Sequence, residues 1–298
     1  MRHTTDAPHG GAVESQAWLK ARQRASSNFD EVKPIFDENT ANLIQRLELL
    51  GFEPERILQL GAWDCALTDF LRARYPNAQI LVLEPSLGFI HRLSQNDEKT
   101  HKNNNVKIIQ WVSGSFPVAD ASVDLFISEQ GVPPYAHWNE LLAECRRVLA
   151  PRGYLSLATL GDRSFLELKA ALDDPLKPSH VYDFIDIQSF GMALVSAGFT
   201  DPVVDTERVE LQYRTLDRLR RDFQALGLGN YRQDRRRSLH KDPKFVQLIN
   251  FKEASPIPML TLELLYAQGF SPTGLPVKKV KRTEQVLPFP TRKARIFS

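Results

Sequence analysis

Apolar positions along the chain recur at two periods, and the change from one to the other marks out its elements. The run Ile57-Leu58-Gln59-Leu60 ends at Gly61 and predicts a buried strand closed by a tight turn. Leu67, Phe70 and Leu71 then recur at helical spacing, and a second strand, Ala78 to Leu83, ends on an acid, Glu84. Strand, turn, helix, strand and terminal acid make the opening half of a nucleotide-binding α/β unit. In such a unit the acid accepts hydrogen bonds from ribose hydroxyls.

The same reading carries through the rest of the chain. Strands are expected at Val106–Val112, Val123–Ser128, Tyr154–Leu160, Val203–Tyr213 and Leu260–Ala267. Ser128 and Glu129 fall at the end of a parallel strand, where such sheets open their ligand crevice, and Gly131 to Tyr135 forms a rigid loop over it. Trp138–Leu149 reads as an amphipathic helix, with Leu141, Leu142, Cys145 and Val148 inward and Glu140, Glu144, Arg146 and Arg147 facing water. Pro151-Arg152-Gly153 ends that helix, and Ser189–Gly198 is another, with Phe190, Leu194 and Val195 inward. Leu216, Leu219, Phe223 and Leu226 begin a helical insertion that spans 215–255. Near the N-terminus a short basic helix is expected over Gln16–Arg24, and a separate one from Ala41 to Leu50, stopped by Gly51. His91 to Asn105 reads as a polar surface connection. The expected fold class is α/β, a seven-stranded Rossmann-like sheet with helices on both faces. The domain occupies 23–272, between a flexible tail over 1–22 and a basic tail over 273–298.

Composition narrows the function classes. With 298 residues and 42% hydrophobic content, the chain suffices for one large domain or two small ones. The net charge of +2 is unremarkable, but Arg and Lys crowd the last third, and no aromatic interleaving there suggests nucleic acid. Cys65 and Cys145 both fall in core-like segments, which points to a reducing compartment rather than a disulfide framework. No apolar run approaches the roughly 20 residues of a membrane span, and Met1–Gly11 lacks a signal-peptide core, so a cytoplasmic protein is expected. No His/Cys spacing suggests a metal.

The stretch Leu58-Gln59-Leu60-Gly61-Ala62-Trp63-Asp64-Cys65 resembles the first motif of class I S-adenosylmethionine methyltransferases, an acid followed by Gly-x-Gly-x-Gly. Gly61 matches the first glycine, Trp63 falls on the second, Cys65 on the third and Gln59 on the acid. Further phrases are similar to the malonyl-ACP O-methyltransferases of biotin synthesis. They are Arg24-Ala25-x-x-x-Phe29-Asp30, Phe184 to Gly191, Leu194 to Asp205, and Leu216 to Asn230 followed by Arg235-Arg236-Arg237.

The resemblance implies a class I methyltransferase sheet whose last strand inserts antiparallel beside its predecessor. It also implies methyl transfer from S-adenosylmethionine to the carboxyl of a carrier-bound acyl group, chemistry that depends mainly on positioning. The cofactor positions it assigns are Gln59, Gly61, Trp63, Glu84, Val112 and Ser128, with Val112 where the family places an Asp for the adenine amine. Phe29, where the family carries Tyr, and Tyr135 are the substrate or lid positions. Arg235, Arg236 and Arg237 would dock an acyl carrier protein or another acidic partner. No catalytic base is implied, because a carboxylate is already nucleophilic. Two function classes follow: an active O-methyltransferase, or a catalytically degenerate homologue that serves as a binding partner, regulator or assembly factor.

Overall fold

The computed structural model describes residues 15–48, 51–100, 105–131, 137–173, 179, 181–213, 215–227, 231 and 259–273. The elements in order are α1 (Ser15–Glu48), β1 (Arg56–Leu60), α2 (Ala66–Arg74), β2 (Gln79–Glu84), α3 (Leu87–Thr100), β3 (Val106–Gln110), β4 (Val123–Glu129), α4 (Trp138–Val148), β5 (Leu149–Leu160), α5 (Leu166–Leu172), α6 (Ile187–Ser196), β6 (Thr200–Gln212), α7 (Leu216–Ala225) and β7 (Met259–Phe270).

The strands form one seven-stranded sheet in the order β3-β2-β1-β4-β5-β7-β6. β1 pairs in parallel with β2 and β4, and β7 runs antiparallel between β5 and β6. The expected class I methyltransferase topology is therefore present. Strand alternation divides the core in two. Ile57, Ile80, Val82, Leu125 and Ile127 join one cluster, with Leu43 and Leu47 of α1 and Leu67 and Leu71 of α2. Leu58, Leu60, Leu81, Leu83 and Phe126 join the other, with Leu142, Cys145 and Val148 of α4 and Phe190 and Leu194 of α6. A third cluster contains Ala25, Phe29, Val32 and Phe36 of α1 together with Trp63 and Phe89.

Several expectations need correction. The two N-terminal helices are one helix of 34 residues that runs through Pro34. Trp18, Arg22, Ala25, Phe29, Val32, Phe36, Leu43 and Leu47 form one buried stripe along it, so tertiary packing carries the helix past the proline, which is exposed. The boundary placed after residue 22 therefore cuts through an ordered helix, with Trp18 and Arg22 packed in the fold. His91–Asn105 is not a surface connection, because α3 continues to Thr100 and buries Phe89 and Leu93. Arg147 does not face water. It is buried, pairs with Glu144 and Asp120, and donates to the carbonyls of Val118 and Phe116, fastening that loop to α4. Val195 points outward, 62% exposed, and Ala193 takes the inward position. Pro151-Arg152-Gly153 lies within β5, whose pairing with β4 shifts register between Val123 and Leu125.

Among the described residues no helix is long and apolar enough to cross a membrane, and no group of three or more His, Cys, Asp or Glu could hold a metal ion.

Candidate cofactor cleft

The ends of β1, β2 and β4 define the crevice where open α/β sheets bind ligands. Gly61 makes the turn after β1 with φ at 77° and donates its N–H to Leu83 O at 2.8 Å. The turn crosses the chain leaving β4 so closely that a Cβ on Gly131 would lie 2.0 Å from Leu60 O. Gly131→Ala is therefore expected to destabilise by about 3 kcal/mol, at the upper end of overpacking costs. The check is a lower urea midpoint with unchanged slope. The hydroxyl of Ser128 donates to Leu60 O at 2.8 Å and accepts from Gly131 N at 3.3 Å. Gln59, on the position of the family's acid, is buried. Its Nε2 donates to Gly61 O at 3.2 Å and its Oε1 accepts from Thr68 Oγ1 at 2.9 Å. Both Ser128 and Gln59 thus brace the turn.

Glu84 is fully buried and has four donors. Arg22 reaches it twice, Nε to Oε1 at 2.8 Å and Nη2 to Oε2 at 2.7 Å. The backbone N–H groups of Ala62 and Ser86 donate to it at 2.9 and 2.8 Å. A carboxylate offers about four lone-pair sites. All are taken while α1 is docked, so ribose hydroxyls find no acceptor there.

Trp63 fills the adjoining space. It is 4% exposed, and its Nε1 donates to Glu129 O at 3.1 Å. Its indole packs on Phe29 (6.1 Å between centroids), Phe36 (4.5 Å) and Phe89 (5.2 Å). The Arg22 guanidinium lies 4.0 Å above its ring. Burial of Phe29 and Phe36 contributes about 1.5–3 kcal/mol each, and a desolvated cation–π contact adds about 2 kcal/mol. These contacts fasten the N-terminal part of α1 over the turn.

Glu129, at the end of β4, is the one acid here with a large displacement. Burial pushes its pKa up to about 8, the nearby charges of Asp64 and Asp37 add to this, and hydrogen bonds from Thr40 and Asn39 oppose it. Thr40 Oγ1 donates to its Oε1, and Asn39 Nδ2 lies 3.4 Å from the same atom. Lys33 pairs with Asp37 and, at 3.1 Å, with Asp64. At neutral pH Glu129 is therefore an uncharged carboxyl clamped between α1 and β4.

The structure thus brings together Phe29, Gln59, Gly61, Trp63, Glu84 and Ser128 at one end of the sheet. Val112 is half-buried just beyond β3. Tyr135 and Arg235, Arg236 and Arg237 lie outside the described residues. Phe29 lies on α1, and its ring packs on Trp63. Arg22 was missed as a site residue. Its signal is the stripe Trp18, Arg22, Ala25, Phe29, in which a charged residue takes an inward position. With α1 docked, the residues present do not fit the nucleoside of S-adenosylmethionine, because Glu84, the acid expected to meet a ribose, is saturated and an indole stands over the turn.

A family model described as a methyltransferase domain matches residues 58–157. The malonyl-[acyl-carrier protein] O-methyltransferase of Laribacter hongkongensis is 30% identical over 275 residues, covering 89% of this chain and 92% of that protein. Malonyl-[acyl-carrier protein] O-methyltransferase 1 of Coxiella burnetii is 28% identical over 280 residues, covering 93% and 95%. Among solved structures, the YcgJ protein of Bacillus subtilis superposes with a TM-score of 0.53 at 15% identity, over 80% of this chain and all of that one. The phosphoethanolamine N-methyltransferase 2 of Haemonchus contortus, in complex with phosphomonomethylethanolamine and S-adenosylhomocysteine, also gives 0.53, at 13% identity, covering 88% and 61%. These two likenesses concern the fold.

Proposed function

The chain belongs to the malonyl-[acyl-carrier protein] O-methyltransferase family, and on that premise we propose that it methylates the free carboxyl of a carrier-bound acyl group, with S-adenosylmethionine as donor. The observation that carries this reading is similarity running over nine-tenths of the chain, through the whole sheet and α1 rather than the generic core alone. Glu84 adds support as an acid at the end of β2, the position that the resemblance assigns to the ribose contact. The proposed partner is the acidic carrier, met by Arg235-Arg236-Arg237, and the proposed setting is cytoplasmic.

The test is incubation with malonyl-ACP and methyl-labelled S-adenosylmethionine, read by mass spectrometry of the acyl group. A methyl ester on the distal carboxyl is expected. An unlabelled acyl group, under conditions where a related transferase esterifies the same sample, would contradict the reading.

A second reading is favoured by one observation, the filled cleft. On it the chain binds the carrier and transfers nothing. The two part on a carrier pull-down made beside the transfer assay, since the second reading keeps carrier binding while the ester is absent.

A further inference from the structure

We propose that the N-terminal helix is a built-in occupant of the donor cleft, so that docking of α1 and binding of a nucleoside donor exclude one another. Arg22 uses both carboxylate oxygens of Glu84, at 2.8 and 2.7 Å, where a ribose diol would bind. Trp63, Phe29, Phe36 and Phe89 pack ring against ring beside it. Both groups are required: Arg22 lies on α1, Trp63 lies on the turn, and the guanidinium sits on the indole.

The helix is built to part at one place. Pro34 has no N–H to give to the carbonyl of Asp30, which leaves a weak point within α1. Beyond it, the C-terminal half is anchored on β6 and β7: Arg46 pairs with Asp205 at 2.8 Å and lies 3.7 Å over the Tyr266 ring, and Asn42 bonds Glu207. Before it, the N-terminal half is held by Arg22–Glu84, by Gln23 accepting from Ser86 Oγ and Gly88 N at 3.0 Å, and by Arg92 pairing with Asp30. Release of residues 15–33 would clear Glu84 while the rest of the helix stayed in the core. The apparent donor affinity is then the intrinsic affinity reduced by the fraction of molecules with α1 released. The inference rests on the transferase reading only for the identity of the donor.

The experiment is calorimetric titration of the full chain with S-adenosylhomocysteine, for the wild type, Arg22→Gln and Trp63→Gly. Tryptic cleavage at Lys20 and Arg24 serves as a donor-free measure of α1 release, and circular dichroism confirms that each variant is folded. Trp63→Gly keeps the Arg22–Glu84 pair and covers the case in which Arg22→Gln fails to fold. The expected result is millimolar or weaker binding by the wild type and a gain of about 100-fold in a folded variant that is cleaved faster. Micromolar binding by the wild type with α1 resistant to trypsin would overturn the inference. So would a variant whose α1 is cleaved faster without any gain in affinity. Failure of the transferase reading would show instead as an absent methyl ester and would leave these measurements unaffected.

Discussion

An Arg22→Ala variant is expected to unfold about 3–5 kcal/mol more easily than the wild type, the cost of stripping a buried carboxylate of its counter-ion. Glu84 is 0% and Arg22 2% exposed, so water screens neither side of the pair. Two backbone donors, from Ala62 and Ser86, would remain for a full negative charge. The guanidinium also carries the stacking on Trp63, which the truncation removes. Against the typical 5–15 kcal/mol of a native domain this is a large fraction. The check is urea unfolding with the slope compared between variants. An Arg22→Met/Glu84→Gln double variant should regain most of the loss, because it leaves no buried charge unpaired. A single variant within about 1 kcal/mol of wild type would mean that the pair behaves as a solvated surface bridge.

The second large effect is a fall in stability as pH rises, centred on Glu129. Its pKa stands at about 8 in the folded chain against an ordinary 4.5, chiefly because burial disfavours the charge. Below about pH 4.5 the carboxyl is protonated in both states and folding carries no penalty. Between there and about pH 8 the unfolded chain gives up a proton that the folded chain keeps, so stability falls with pH and then levels. At about 1.4 kcal/mol per pKa unit the window is on the order of 3–5 kcal/mol. Glu129→Gln keeps an acceptor for Thr40 and Asn39 and removes the titration. It should flatten this part of the profile and be the more stable protein near pH 9. Urea midpoints taken across the window test it; parallel profiles for the two proteins would place the pH dependence elsewhere.

The strands were legible because they are apolar runs bounded by turns, while their arrangement in the sheet was implied by the resemblance to class I methyltransferases. α3 was not legible, since only Phe89 and Leu93 mark its buried side before the polar stretch to Asn105 takes over. Periodicity sets Arg147 toward water and leaves Arg22 as one position of a short basic helix, because it ranks side chains by polarity. Each is buried by partners distant in sequence: Asp120 and the Phe116 carbonyl for one, Glu84 for the other. Pro34 hid the continuity of α1, which depends on packing at both ends rather than on helix propensity. At the site, the sequence places an indole on a glycine position, and that much follows from the motif. Which way the indole turns depends on Phe36 and Phe89, which no local pattern links to it.

The competition between α1 and the donor is tested most directly by hydrogen–deuterium exchange of the wild-type chain across a titration with S-adenosylhomocysteine. The account predicts that amides from Trp18 to Val32 are protected without ligand and lose protection in proportion to the ligand bound. Ligand bound while those amides keep or gain protection would contradict it.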